Sequence, residues 1–439
     1  MAQTPAPTRA VSGVEDVQSV SFPATSLPRG VAQSNLSLAR DFLDLTFALE
    51  RGEPLRGLLR HEGPVRVYLR PGPLVAYRRD LENLLARFRN EAGVDIASVG
   101  SAAEAQIHID GVPIRELQRI DPGAACFIVP GETSWSGFRS KSPRNRLRWS
   151  EQRTLGTIGI FIPSDTFPQD IRDCLHEELA QALGPANDLY RLPNTVFNDD
   201  NFHSIVTNFD MLMLRALYDP SLRSGMPRQV VAGRIQGILD RINPRGVGSG
   251  TLPMAPASPQ WNRQIEQALT RRNPMSRRLA AANRAVEIAR DMRPVDHRIG
   301  VALITRGRLL RERDPVAAAS DFVEAYQRLR GVLGPNDVRT AQAALHMALV
   351  GLDVGDFLPA QRVAERAIPV ARRGQNAVLL SSLMLVRAKA LEAQGQLAES
   401  RAGQLEHLRW ARYAFGDADG RRARRLAALE ASEATVLSN

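Results

Sequence analysis

Lysine is nearly missing from this chain. Only Lys141 and Lys389 occur among 57 basic residues, although the 439 residues carry a net charge of +10. Arginine supplies the rest, spread along an alanine-rich sequence, and aromatic residues make up only 5%. A nucleic-acid binder clusters its cations and sets aromatic platforms among them. Here the arginines are spread along the chain and aromatics are few, so nucleic acid is not expected as a partner. The basic balance by itself means general affinity for anionic surfaces. Long apolar runs are also missing. No uncharged stretch approaches the roughly 18 residues that a membrane-spanning helix needs. There are two cysteines, Cys126 and Cys174, too few and too far apart for a zinc ribbon. They read either as one disulfide in an oxidising compartment or as two buried thiols. No Gly-rich phosphate loop, GxSxG elbow or Cys/His dyad occurs.

The chain is long enough for two or three domains, and its 44% hydrophobic and 24% charged content is that of a folded protein. Residues 1–34 lack periodicity and read as a disordered leader. The opening MAQTPAPTRAV resembles the mature start of an exported chain behind an added Met1. From Asn35 the pattern alternates between helix and strand. LARDFLDLTFAL is a helix, GPVRVYLRPGP a strand, and DLENLLARFRNEAG an amphipathic helix that ends on Gly93. AEAQIHIDGV, ACFIVPG and TIGIFIP are three further strands. Helices over 167–183 and about 207–218 complete an α+β domain spanning 35–239. Residues 240–270 are dense in Gly, Pro and Ser and read as a linker. Residues 271–425 are helical, and 426–439 form a tail.

The helical part repeats. The turns at Asp314, Asp356 and Gln396 lie 42 and 40 residues apart, each followed by a small residue, Ala317, Ala360 or Ala398. GPND at 334–337 and FGDAD at 415–419 separate the units. This pattern resembles tetratricopeptide repeats of a longer kind, a resemblance that covers about 275–420. It implies stacked helix pairs that bind a protein or peptide.

The stretch DTFPQDIRDCLHEELAQALGPAND, residues 165–188, carries the chemistry-bearing side chains. Thr166 and Gln169 have capping-box spacing, Pro168 suits the first turn, and Gly184-Pro185 marks the stop. At about 100° per residue, Ile171, Cys174, Leu175, Leu179, Ala182 and Leu183 share one arc. Glu178 falls inside that arc, a costly place for a carboxylate without a partner. His176 falls on the edge, away from Glu178. The frame EELAQALGPAND resembles the metzincin, matrixin-type motif HExxHxxGxxH. That resemblance implies Glu177, Gln181 and Asn187 at the three metal-ligand positions, Glu178 as general base, and Gly184 at the turn. TNFDMLMLRALYDP resembles the last helix of that class, with Leu217-Tyr218 near its end, and Ser204-Ile205-Val206 stands near the expected Met-turn. Zinc prefers imidazole, thiolate or carboxylate, whereas these positions offer one carboxylate and two amides. No bound cofactor is therefore expected, and zinc or another divalent cation is the alternative. Asp188, Asp199, Asp200 and His203 could supplement such a site.

Residues 35–226 also resemble a proteobacterial family of lipoproteins of unknown function, through NLSLARDFLDLTFALERGEPL, RHEGPVRVYL, EELAQALGPAND, VFNDD and FDMLMLRALYDPSLRSGM. That resemblance implies export to the envelope, although no lipobox cysteine is present. The basic segment with Arg139, Lys141, Arg144, Arg146 and Arg148, flanked by Trp135 and Trp149, reads as a solvated loop or an anionic-surface patch. The expectation is a zincin-like α+β domain followed by all-α tetratricopeptide-like repeats. The chain would be a periplasmic or secreted interaction protein with a non-catalytic, pseudoenzyme-type metallopeptidase domain. The alternative is a metal-dependent peptidase with Glu178 as its base.

Overall fold

The computed structural model describes residues 20–22, 31–49, 52–121, 124–198, 202–249 and 257–416. Most of the expected leader and all of the tail lie outside them, as do Asp199 and Asp200. In the first part of the chain, helix α1 (Asn35–Thr46) precedes strand β1 (Val65–Leu69) and helix α2 (Arg78–Arg87). Strands β2 (Ile96–Ser98) and β3 (Ile107–Val112) follow, then helix α3 (Ile114–Ile120), strand β4 (Phe127–Pro130), helix α4 (Trp135–Ser140) and strand β5 (Ile158–Pro163). Helices α5 (Pro168–Gln181), α6 (Asn208–Leu217) and α7 (Arg228–Ile242) complete this part.

The five strands form one mixed sheet in the order β2-β1-β3-β5-β4. Every pairing is parallel except β4 with β5. Parallel neighbours require crossovers, and here helices and longer loops supply them. The domain is therefore α/β, not the α+β arrangement expected from the sequence. β5 is buried along its whole length, as expected for a strand covered on both faces. Ile158, Ile160 and Ile162 join the main core with Leu38, Phe42, Leu84 and Leu179. Phe161 turns to the other face and packs with Val112, Leu117 and Phe138.

The second part is all helical. Its helices are α8 (Pro259–Leu269), α9 (Met275–Asp291), α10 (Arg298–Leu310), α11 (Pro315–Leu333), α12 (Val338–Asp353), α13 (Phe357–Arg373), α14 (Ala377–Ala393) and α15 (Leu397–Phe415). The expected turn residues Asp314, Asp356 and Gln396 sit at the N-caps of α11, α13 and α15. Asp314 accepts from the Ala317 amide. The close-packing positions are shifted from those expected. Ala360 is buried, but Ala317 is half-exposed and Ala398 exposed, while Ala318 and Ser400 are buried instead.

Two boundaries move. The second half of the expected linker is helix α8, whose Trp261 is fully buried in the helical core. A fully buried indole contributes burial on the scale of a core residue, so α8 belongs to that core. Residues 20–22 of the expected leader also lie against the helical part, through Val20 and Phe22.

The two parts are packed together. Tyr190 and Phe202, from the first part, are buried in the helical core. Tyr190 lies edge-on to Trp261 at 5.5 Å, and its carbonyl is 2.9 Å from His297 Nε2. Arg339, at the start of α12, donates to the Pro193 carbonyl and lies over the Phe202 ring at 5.2 Å. At the other end of the interface, the Ala377 amide donates to Gln169 Oε1, and Arg172 donates to the Tyr413 carbonyl. Gln169 is thus committed to Ala377 and to Asp173. The capping box expected of Thr166 and Gln169 does not form, and the N-cap Phe167 makes no side-chain cap.

Candidate functional site

Helix α5 crosses from the sheet to the helical part, with Ile171, Cys174, Leu175 and Leu179 on its buried side. Glu178 is buried with them, 4% exposed, and Glu177 is half-buried. After Gln181 the chain tightens through Ala182, Leu183 and Gly184. The Gly184 amide donates to the Gln181 carbonyl at 2.9 Å. Gly184 has φ +141°, and a Cβ there would lie 2.5 Å from the Leu59 carbonyl oxygen and 2.6 Å from Leu217 Cδ2. The turn glycine read from the sequence is therefore required by both backbone and space. Gly184→Ala should cost about 2–3 kcal/mol in urea unfolding. Gly156→Ala, where nothing lies within 4 Å, should be near neutral in the same assay. Equal effects would contradict this account.

The last carbonyls of a helix lack intrahelical partners, and here two side chains meet them. Tyr218 Oη donates to the Leu183 carbonyl at 3.0 Å, and His61 Nε2 to the Ala182 carbonyl at 3.2 Å. Burial pushes the His61 pKa down to about 4, partly countered by that carbonyl. The folded protein keeps the ring neutral where the unfolded chain, near 6.5, takes up a proton. The His61 contribution is therefore complete above pH 6.5 and is lost as the pH falls toward 4. The stability advantage of wild type over His61→Gln should shrink by about 2 kcal/mol between pH 7 and pH 5. A pH-independent difference in urea titrations would refute it.

The expected ligand positions are committed elsewhere. Gln181 Nε2 donates to Asp188 Oδ2 at 2.9 Å, and Asn187 Nδ2 donates to the Asp44 carbonyl at 2.8 Å. These bonds hold the chain after Gly184 against α5 and α1. Arg191 extends the clamp, reaching Asp41 at 2.6 Å and Asp44 at 2.7 Å. Asp41 is fully buried and its pKa is raised by burial, an effect that Arg191 partly offsets. Asp41, Asp44, Arg191 and His61 carry no spacing signal in the sequence. Their partners are brought in from as far as 150 residues away.

His176 is half-buried, and its Nδ1 accepts from the Val206 amide at 3.3 Å. Burial, aided by the nearby Arg87 cation, lowers its pKa to about 3. It fastens the Ser204-Ile205-Val206 segment under α5. His203 lies at the interface with the helical part, where burial and then Arg339 lower its pKa. Among the described residues, no three His, Cys, Asp or Glu side chains gather into a metal-holding group. A set of one carboxylate and two amides that already serve as internal donors fits zinc poorly. The two cysteines are joined by a disulfide that ties the start of β4 to α5.

The basic segment is partly folded onto the chain. Arg146 lies over Phe138 at 3.9 Å, Arg139 over Trp135 at 5.9 Å, and Lys141 pairs with Glu132 at 2.9 Å. Of the five cations read as a possible anionic-surface patch, Arg139, Lys141, Arg144 and Arg148 are exposed and Arg146 is half-buried.

A family model described as a protein of unknown function, DUF2927, matches residues 35–237. Residues 35–237 are a DUF2927 domain. No curated protein matches the chain. The DUF2927 domain thus comprises α1 through nearly all of α7, including the sheet, α5 and the clamp around Gly184, and the helical part lies beyond it.

Proposed function

We propose that this chain is an interaction protein of the bacterial envelope, periplasmic or secreted. Its DUF2927 domain is a metzincin-like platform without efficient hydrolysis, and its tetratricopeptide-like repeats bind a protein partner. The observation that carries the reading is the commitment of Gln181 and Asn187. Both occupy ligand positions in the motif resemblance, and both donate to internal acceptors instead. Glu178 remains as a buried carboxylate with no zinc-competent set beside it.

The repeats offer an edge for a partner. Val316, Val354, Leu358 and Leu397 are 82%, 67%, 46% and 53% exposed, and they recur where each helix pair turns. Recurring exposed apolar side chains along one edge favour a protein contact. The joined cysteines suit an oxidising compartment.

Elemental analysis of natively purified full-length chain tests the platform, beside Glu177→Ala/Gln181→Ala. We expect no stoichiometric transition metal in either sample, and no difference between wild type and Glu178→Gln on peptide substrates. Near-stoichiometric zinc that vanishes in the double variant would restore the peptidase with Glu178 as its base. The partner half is tested with immobilised full chain and envelope extract. A protein captured by wild type should be lost with Val316→Ser/Leu358→Ser/Leu397→Ser. Capture indifferent to these changes would overturn the assignment of that edge.

A further inference from the structure

Helix α15 is the last helix among the described residues. Part of its cover comes from far up the chain. Phe22 lies 4.4 Å from the Trp410 ring and 5.4 Å, edge-on, from Tyr413. Both aromatics are on α15, three residues apart and so on one helix face. Val20 packs against the same core, while Ser21 between them is exposed. Alternate residues in and out is the pattern of an extended peptide laid on a surface. Pro23 follows Phe22 in the sequence and biases it toward that extended backbone.

The receiving surface is organised around the two rings. Arg172, from α5, lies over the Tyr413 ring at 3.8 Å. Arg372, from α13, lies 5.4 Å from the Trp410 ring and pairs with Glu406 at 3.0 Å. Arg372 also walls a cavity of about 350 Å³ between α13, α14 and α15, floored by Ile368, Met384 and Gly403. The aromatic anchor therefore sits beside open volume along the same helices.

We propose that the Trp410–Tyr413 face is a recognition surface for an extended, uncharged peptide of the pattern Val-x-Phe, and that residues 20–22 of this chain are its resident occupant. The tethered segment acts as an intramolecular ligand, and its local concentration makes it hard to displace. A partner carrying the same pattern competes for the rings. The proposal rests on reading the repeats as a partner-binding surface, and it names a different part of them from the exposed turn edge.

The test uses the full chain with Phe22→Ala and a synthetic peptide of residues 17–26, followed by tryptophan fluorescence. The peptide should bind the variant with an affinity about tenfold or more above that for wild type, where the resident segment competes. The same peptide with its phenylalanine changed to alanine should not bind, a control independent of protein folding. Equal affinity for wild type and variant, or no binding to a variant that melts like wild type, would overturn the proposal. If the peptide fails while the turn-edge variant still loses its captured protein, the partner-binding reading stands and this site falls. If both fail, both fall.

Discussion

Arg339→Ala should cost about 3–5 kcal/mol and should loosen the DUF2927 domain from the repeats. Arg339 is fully buried at the start of α12. It donates to the Pro193 carbonyl, covers the Phe202 ring, and its charge lowers the pKa of Asp337, which burial raises. Truncation would leave a half-buried carbonyl and a buried carboxylate short of a cation, and would open space over Phe202. Removing one member of such a set is far more damaging than never having had it. The consequence should be local before it is global. Limited proteolysis should cut within 190–206 in the variant at protease levels that spare wild type, because Tyr190 and Phe202 rely on the helical part for cover. Arg339→Met keeps much of the volume and should recover part of the stability without restoring the polar contacts. A change under about 1 kcal/mol, with 190–206 still resistant, would show that the apolar contacts of Tyr190 and Trp261 hold the interface without the cation.

That interface marks the limit of what the sequence made legible. The expected helix over 167–183 is observed over 168–181, and Gly184 ends it because backbone and space both demand glycine. Asp314, Asp356 and Gln396 all stand at N-cap positions, with a side-chain cap bond at Asp314. Periodicity and capping are short-range, and what they determine was readable. The Thr166–Gln169 capping box was outcompeted by a partner 208 residues away, since Gln169 accepts from the Ala377 amide. Helix α8 was hidden by the Pro- and Ser-rich stretch before it, and only the tertiary burial of Trp261 reveals its membership. The clamp of Arg191 on Asp41 and Asp44 is equally long-range, as is His61 at the end of α5. The ligand reading of the 177–187 stretch did not anticipate that Gln181 and Asn187 are spent on internal bonds.

The disulfide carries the other large expected effect, and it bears on where the chain works. Cys126 and Cys174 are 48 residues apart in sequence. Closing a loop of that size in the unfolded chain is worth about 4 kcal/mol in the chain-entropy model. β4 is an edge strand that pairs only with β5, so the bond also pins the one antiparallel strand to α5. Cys126→Ser/Cys174→Ser should therefore lower unfolding stability by about 2–4 kcal/mol. Wild type held in strong reductant should fall to nearly the same value, because the two treatments remove the same constraint. Thiol titration of denatured, unreduced protein should find no free thiol among the two cysteines when the chain is made in an oxidising compartment. Made in a reducing cytoplasm, it should carry two and melt at the lower value. If reduction leaves the midpoint unchanged, the β4–α5 contact is held by packing alone. The chain would then fold equally well in either compartment, and the argument for export from its cysteines would lapse.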